Sequence, residues 1–377
     1  MKKTAILLLI IICGLATFPL QTFAEESEER NFTISAQAVV LMEQSSGRVL
    51  YENNQHESLR IASITKIMTA MLAIESGKMD EVVTVSERAE GTEGSSIYLR
   101  RGDKMKLSDL VYGLMLRSGN DAAMAIAEHV GGSVEGFVVL MNEKASEIGM
   151  SNTLFQNPHG LDDHEEHYSS AYDMALLTQY AMANEDYQTI TSTKSHRVEE
   201  SDVRWKNKNR LLTELYPHST GGKTGFTKRA SRTLVSTASK DGLDLIVVTL
   251  NAPSDWYDHM NLFDWGFENF TLDALLNEGI IKEIKDDFYK NKVYAEHDFI
   301  YPLTEGERAE LSKEITLYKP PKDAGRVPRP VGKIEFKLNE QIIGAIPLYY
   351  EQGTDEKKGF WKRVFEIFFT IAWGETK

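Results

Sequence analysis

Three short groups of residues in this 377-residue chain carry the makings of nucleophilic catalysis. Ser63-Ile64-Thr65-Lys66 sets a hydroxyl and an amine three positions apart; Ser118-Gly119-Asn120 and then Lys223-Thr224-Gly225 follow in order. On a helix, positions i and i+3 share one face, so Lys66 lies one turn from Ser63. A serine hydroxyl is a weak nucleophile and needs an adjacent base. A lysine can be that base only when neutral, and both burial and a second cation lower its pKa. A helix start also aims backbone N–H groups and partial positive charge at a developing oxyanion. Ser118 is suited to relay a proton to a leaving amine, and Asn120 to hold a substrate amide. Lys223 and Thr224 suit a carboxylate, and Gly225 lets a substrate backbone come close. Ser-x-x-Lys alone arises about once by chance in a chain this long, and each other triplet about 0.1 times, so the ordered set of three is the signal. Singly, each has a plainer reading: Ser63 and Asn120 cap helices, and Lys223 is a solvated charge at a strand end.

The elements that must position these groups are legible in the periodicity. A hairpin runs over Ala36–Glu43 and Arg48–Tyr51 around Ser45-Ser46-Gly47. A helix begins near Ser63, with Ile67, Met71 and Ile74 at helical spacing and Gly77 after it. Further helices are predicted at Leu107–Leu116, at Asp121–Val130 with Asn120 as its cap and Gly131-Gly132 at its end, at Val134–Ile148 and at Tyr172–Met182. Thr233–Thr237 and Leu243–Leu250 read as strands around Lys240-Asp241-Gly242, and Trp256–Asn269 as a closing helix. The fold class is therefore α+β, an antiparallel sheet packed with helices. Beyond residue 275, short β-type runs at Lys292–Tyr294, Glu314–Tyr318, Gly332–Leu338 and Ile342–Leu348 predict a small all-β sandwich module.

Composition narrows the function. With 42% hydrophobic and 26% charged residues, the chain is neither disordered nor a multi-span membrane protein. A net charge of −14 without a basic block speaks against a nucleic-acid partner. Lys2 and Lys3, the apolar run Ala5–Leu15, Pro19 and Thr22-Phe23-Ala24 have the three parts of a signal peptide. Cleavage after Ala24 would remove Cys13, the only cysteine, which suits an exported bacterial protein whose large core replaces disulfides. At the other end, Phe360, Trp361, Val364, Phe365, Ile367, Phe368, Phe369, Ile371 and Trp373 crowd together after Lys357, Lys358 and Lys362. On a helix, Arg363, Glu366 and Thr370 would form a narrow polar strip, the pattern of a helix lying on a membrane surface. The expected organisation is a signal peptide over 1–24, a catalytic domain over 31–272, an all-β domain over 276–352 and an amphipathic anchor over 356–377.

With the three motifs in their family-like settings, Arg60–Thr69, Gly113–Ala123 and His167–Ala175, the chain resembles the serine penicillin-binding proteins and class A β-lactamases. More closely it is similar to the low-molecular-mass D-alanyl-D-alanine carboxypeptidases, and within them to the sporulation-specific member of Bacillus relatives. The resemblance implies a β-lactamase/transpeptidase-like catalytic domain. It implies removal of the terminal D-Ala from peptidoglycan stem peptides through an acyl-enzyme on Ser63. β-Lactams would be covalent inhibitors, no cofactor or metal is implied, and the location would be the extracytoplasmic face of the membrane, the forespore-surrounding one if the sporulation link holds. By position, Ser63 is the nucleophile and Lys66 its base, with Ser118, Asn120 and Lys223 completing the proton network. The N–H groups of Ser63 and Phe226 form the oxyanion hole. Thr224, Gly225, Phe226 and Thr227 bind substrate. Relatives often carry histidine at Phe226, and some an arginine within the stretch that here reads Ser254–His259; Thr224 and Thr227, or Lys228 and Arg229, would take over that carboxylate.

Other readings remain at this point. A serine β-lactamase-like hydrolase or a D,D-endopeptidase would use the same residues, although no Glu-x-x-x-Asn-type loop lies between Asn120 and Lys223 to activate a deacylating water. A metal peptidase would draw on His159, Asp162, Asp163, His164, Glu165, Glu166 and His167, which otherwise read as a solvated acidic loop. A non-catalytic peptidoglycan-binding protein would not need both Ser63 and Lys66.

Overall fold

The computed structural model describes residues 32–198, 202–320 and 327–351. The expected signal peptide with Cys13, and the expected C-terminal amphipathic helix, lie outside them.

Apolar, β-branched runs form the central strands of a five-stranded antiparallel sheet. Its order is Val49–Asn53, Ala38–Glu43, Leu243–Leu250, Ser231–Lys240 and Ser219–Thr227, which leaves Ser219–Thr227 as an outer strand. All six residues of Ala38–Glu43 are buried, so this strand is covered on both faces. The two-residue alternation of the pleat divides the work. Val40, Met42, Ile246 and Val248 enter the core shared with the helical lobe, whereas Leu41 and Leu245 meet Gly266 of the helix Asp255–Asn269 on the other face. The turn between the first two strands is set by Glu43, whose fully buried carboxylate accepts from the Ser45 and Ser46 N–H groups and the Ser46 hydroxyl. Three donors compensate the desolvation of that charge.

The helical lobe centres on Lys66–Glu75, in which every residue but Glu75 is buried. It is entered through a tight 3₁₀ turn, Ala62–Thr65, so the helix expected from Ser63 starts three residues later and Ser63 sits in the turn. The helix expected over Leu107–Leu116 is regular only to Tyr112; Gly113–Arg117 widens into a π turn that ends at Ser118. The next helix is Asn120–Gly131, with Gly119 at the cap position. Asn120 therefore does not cap it, because its amide is committed elsewhere. Val134–Ile148 and Ala171–Met182 follow as expected, and Ser133 and Ser170 cap them through their hydroxyls.

A second apolar core, built from Leu276, Tyr289, Val293, Ile334, Phe336 and Leu348 among others, belongs to the C-terminal module. Its antiparallel sheet runs in the order Gly279–Ile280, Val293–Ala295, Gln341–Tyr350, Gly332–Leu338 and Leu311–Leu317. Arg48, beside the first hairpin, reaches this module. Its guanidinium engages the Pro302 carbonyl and both oxygens of Glu307, and lies over the rings of Phe270 and Tyr301 at 5.3 and 5.1 Å. Glu307 is fixed in turn as the acidic member of the capping box opened by Thr304.

This contact is mostly shielded from water, so removing it should cost about 1–3 kcal/mol of coupling between the two cores. In Arg48→Ala, calorimetry should show the β module melting ahead of the sheet-and-helix domain. A variant that melts as one unit at the wild-type temperature would show that Arg48 does not couple them.

Candidate active site

Ser63 is the only partly exposed residue in Ile61–Ala70. Its presentation depends on backbone strain: Ala62, just before it, has φ +49°, a left-handed conformation that costs a non-glycine residue about 1–3 kcal/mol. The loop carrying His159 and Gly160 presses against this turn. A Cβ on Gly160 would stand 1.9 Å from the Ala62 carbonyl oxygen, and φ there is +84°, so only glycine fits.

One turn on, Lys66 is fully buried. Its Nζ has three neighbours: Ser63 Oγ at 2.9 Å, Asn120 Oδ1 at 2.7 Å and the His159 carbonyl at 2.7 Å. The Asn120 amide is oriented by its other end, since Nδ2 donates to the Glu93 carbonyl at 2.6 Å. Two of the three neighbours can therefore only accept. A neutral amine has two N–H groups and one lone pair. With both N–H groups given to Asn120 and His159, the lone pair faces the Ser63 hydroxyl, which is the arrangement of a base waiting for that proton. Burial, and then the nearby Lys223 and Lys208 charges, hold the Lys66 pKa well below its usual value, with Asp121 opposing them.

Lys223 lies on the outer strand rather than ahead of it, and is also buried. Its Nζ donates to Ser118 Oγ at 3.0 Å and to the Thr224 carbonyl at 2.7 Å. Burial and Lys208 push its pKa down to about 7. Ser118 holds φ +62° where the π turn ends, which turns its hydroxyl towards Lys223. The three motifs thus resolve into two hydrogen-bonded groups, Ser63–Lys66–Asn120 and Ser118–Lys223, coupled through the charges of their lysines. Burial lowers the pKa values of both amines, and the Lys223 charge lowers that of Lys66 further.

The outer strand runs beside Ser63. A Cβ on Gly225 would come within 3.0 Å of Ser63 N, so this strand passes against the nucleophile. Gly222 N–H bonds the Thr191 hydroxyl, and the Thr224 carbonyl takes Lys223. Both point away from the neighbouring strand, and antiparallel alternation turns the Phe226 N–H to the same open side. The Phe226 N–H thus faces away from the neighbouring strand, and the Phe226 ring is 65% exposed. The Thr227 hydroxyl accepts from Ala230 N–H within the turn, Arg229 pairs with Glu165, Lys228 is exposed, and Arg232 pairs with Asp255.

The acidic histidine loop is spent on this scaffold. His167 bonds Gln156 N–H and Thr65 through its two ring nitrogens, Asp163 accepts from Asn157, and Glu165 bridges Arg60 and Arg229. Burial lowers the pKa values of His159 and His167 to about 3. Among the described residues no three ligating side chains converge on one point. Two contributors had no sequence signature. Lys208, in an irregular stretch, bonds Ser95 Oγ at 3.3 Å and lowers the pKa of both buried amines, Lys66 and Lys223. Asp121, adjacent to Asn120, is buried and accepts from the Ile97 and Leu99 N–H groups and the Ser96 hydroxyl.

Residues 23–254 match the family described as D-alanyl-D-alanine carboxypeptidase, peptidase S11, and residues 270–356 match the C-terminal domain of penicillin-binding protein 5. The chain is 40% identical over 262 residues to D-alanyl-D-alanine carboxypeptidase DacF of Bacillus subtilis, covering 67% of each. It is 34% identical over 375 residues to the Escherichia coli enzyme DacC, covering 92% of this chain and 90% of the other. Penicillin-binding protein 5 of Haemophilus influenzae superposes with a TM-score of 0.73 at 31% identity, over 86% of this chain and 99% of that one.

The pH dependence of Ser63 acylation should carry the signature of the two amines. The rate should climb with pH as Lys66 gives up its proton, and fall as Lys223 loses its own above about 7. Lys223→Arg, a fixed cation that cannot recharge Ser118, should remove the falling limb at a lower overall rate. Lys66→Arg should slow benzylpenicillin labelling by about 10³-fold at every pH. Labelling of the Lys66 variant at near wild-type speed would sink its assignment as base.

Proposed function

This chain belongs to the D-alanyl-D-alanine carboxypeptidase family, and on that premise we propose that it removes the terminal D-Ala from peptidoglycan stem peptides. The observation that carries the reading is the buried Lys66 amine, whose two N–H groups are already placed on acceptors beside the Ser63 hydroxyl. Ser63 Oγ attacks the carbonyl between the two D-alanines while its proton passes to Lys66. The tetrahedral oxyanion lies between the Ser63 and Phe226 N–H groups. The carbon–nitrogen bond then breaks, and the leaving amine takes up a proton through Ser118, recharged by Lys223. The proton that Lys66 took from Ser63 makes good the one Lys223 gave, so Lys66 is neutral again. Water then adds to the Ser63 ester, and Lys66 takes the water's proton and returns it to Ser63 Oγ as the shortened peptide leaves. Lys223, beside Thr224 and Gly225, supplies positive charge for the substrate's terminal carboxylate.

Penicillin presents a strained amide and a carboxylate in the same relation, so it should form a lasting ester on Ser63. Intact mass after benzylpenicillin treatment should show one added drug on the wild type and none on Ser63→Ala, with EDTA making no difference. Rapid drug turnover without an adduct would favour a β-lactamase instead, and an EDTA-sensitive peptidase activity would overturn the serine mechanism.

We propose further that the enzyme is exported and held on the outer face of the membrane by residues 356–377, on the support of the aromatic cluster Phe360–Trp373. The same support in sequence, the 40% identity to DacF, underlies a proposed role in spore-cortex maturation, to be read from the stem peptides of cortex made without the enzyme. Deleting 356–377 should move the protein from the membrane to the soluble fraction with penicillin acylation intact. A truncated form that still sediments with membranes would rule out the anchor.

A further inference from the structure

Tyr98 is the most exposed large apolar residue described, with 86% of its surface open to water. Its backbone lies in the left-handed region, at φ +67°, which a bulky side chain adopts only under constraint. The constraint is visible. Asp121 accepts from the N–H groups on either side, Ile97 and Leu99, and Ser96 Oγ accepts from the Tyr98 N–H itself at 2.7 Å. Ile97 fills the space over Gly113 and Gly119, so the chain is wedged as well as bonded. The tyrosine ring makes no hydrogen bond or ring contact among the described residues, so the fold gains nothing from it.

The loop that holds this ring is a wall of the catalytic site. Its Glu93 carbonyl orients the Asn120 amide, its Ser95 carbonyl takes the Asn120 N–H, and its Ser95 hydroxyl takes Lys208. Gly94 lies against the Asn120 side chain. An exposed aromatic ring is thus carried, at the cost of backbone strain, three residues along the loop from Ser95, which holds the Asn120 N–H. We propose that Tyr98 is a substrate-binding residue: its ring covers the acyl side of the bound peptide, the part N-terminal to the scissile bond, and equally the acylamino side chain of a penicillin. This rests on the D,D-peptidase reading of the site.

The test compares two drugs on three variants. Benzylpenicillin carries an acyl side chain and 6-aminopenicillanic acid carries none. Tyr98→Asn keeps a residue tolerant of the left-handed backbone but removes the ring; Tyr98→Phe keeps the ring; Tyr98→Gly relieves the strain. Tyr98→Asn and Tyr98→Gly should melt at or above the wild-type temperature and react about fivefold more slowly with benzylpenicillin. Their reaction with 6-aminopenicillanic acid should be unchanged, and Tyr98→Phe should behave as wild type. Equal slowing with both drugs, or a lowered melting temperature in both Asn and Gly variants, would make the ring structural and overturn the proposal. So would wild-type rates with benzylpenicillin. Failure of the wild type itself to form an adduct would overturn the family reading instead.

Discussion

An amine taken out of water is costly to keep charged, and much of this fold holds one there. Lys66 is sealed by the helix that carries it, by the Asn120 helix and by the loop ending in Gly160. In solution a lysine is protonated at moderate pH and so has no lone pair with which to take a serine's proton. Desolvation supplies the neutrality, and two fixed acceptors decide which way the lone pair points. Each acceptor needs its own support. The Asn120 amide is turned by Glu93, and the His159 carbonyl belongs to a loop tied down by Asn157. The long helical lobe therefore acts as a housing for a single nitrogen atom.

The housing is strained where it meets the substrate and relaxed elsewhere. Ala62, Tyr98 and Ser118 all have positive φ, and each lies within a residue or two of a catalytic or rim position. Of the remaining non-glycine residues of this kind, Asn54, Asp241, Asn251, Asn291 and Asn339 are of types that tolerate the conformation, and Ser231 and Glu340 lie where one sheet strand turns into the next. Strain of this sort persists only where surrounding contacts overdetermine it. Here they do: the Asp121 carboxylate fixes one loop, and the close approach of Gly160 to Ala62 fixes another.

Periodicity made most of the scaffold legible. Val134–Ile148 and Leu243–Leu250 could be read off because their burial patterns follow one face or a continuous apolar run. The Ser63–Lys66 pair was legible because helical spacing alone brings those atoms together. What escaped depends on contacts that have no period. The shift of Ser63 from a helix start into a 3₁₀ turn follows from the pressure of a loop nearly a hundred residues away. Asn120 looked like a cap by residue type, yet its amide does better as an acceptor for a buried amine, and Gly119 can enter the helix without help. Lys223 is a catalytic candidate in the sequence, but its place within the outer strand is hidden there, because Gly221, Gly222 and Gly225 interrupt the strand pattern. Lys208 and Asp121 act through space on groups to which no spacing links them.

The outer position of Ser219–Thr227 carries a consequence for the molecule as a material. An unpaired strand edge is an invitation to another chain, and proteins that leave one long and bare tend to stick to copies of themselves. An extended peptide pairing with such an edge is also a common way of recognising polypeptide. This strand divides the two possibilities by rationing its free backbone. Thr191 has already taken the Gly222 N–H, and Lys223 has taken the Thr224 carbonyl. A second copy's strand would find its first two rungs occupied, whereas a peptide that needs only the rungs beside Phe226 would not. The residues that prepare the site for a short ligand are thus the ones that keep the protein from polymerising through it.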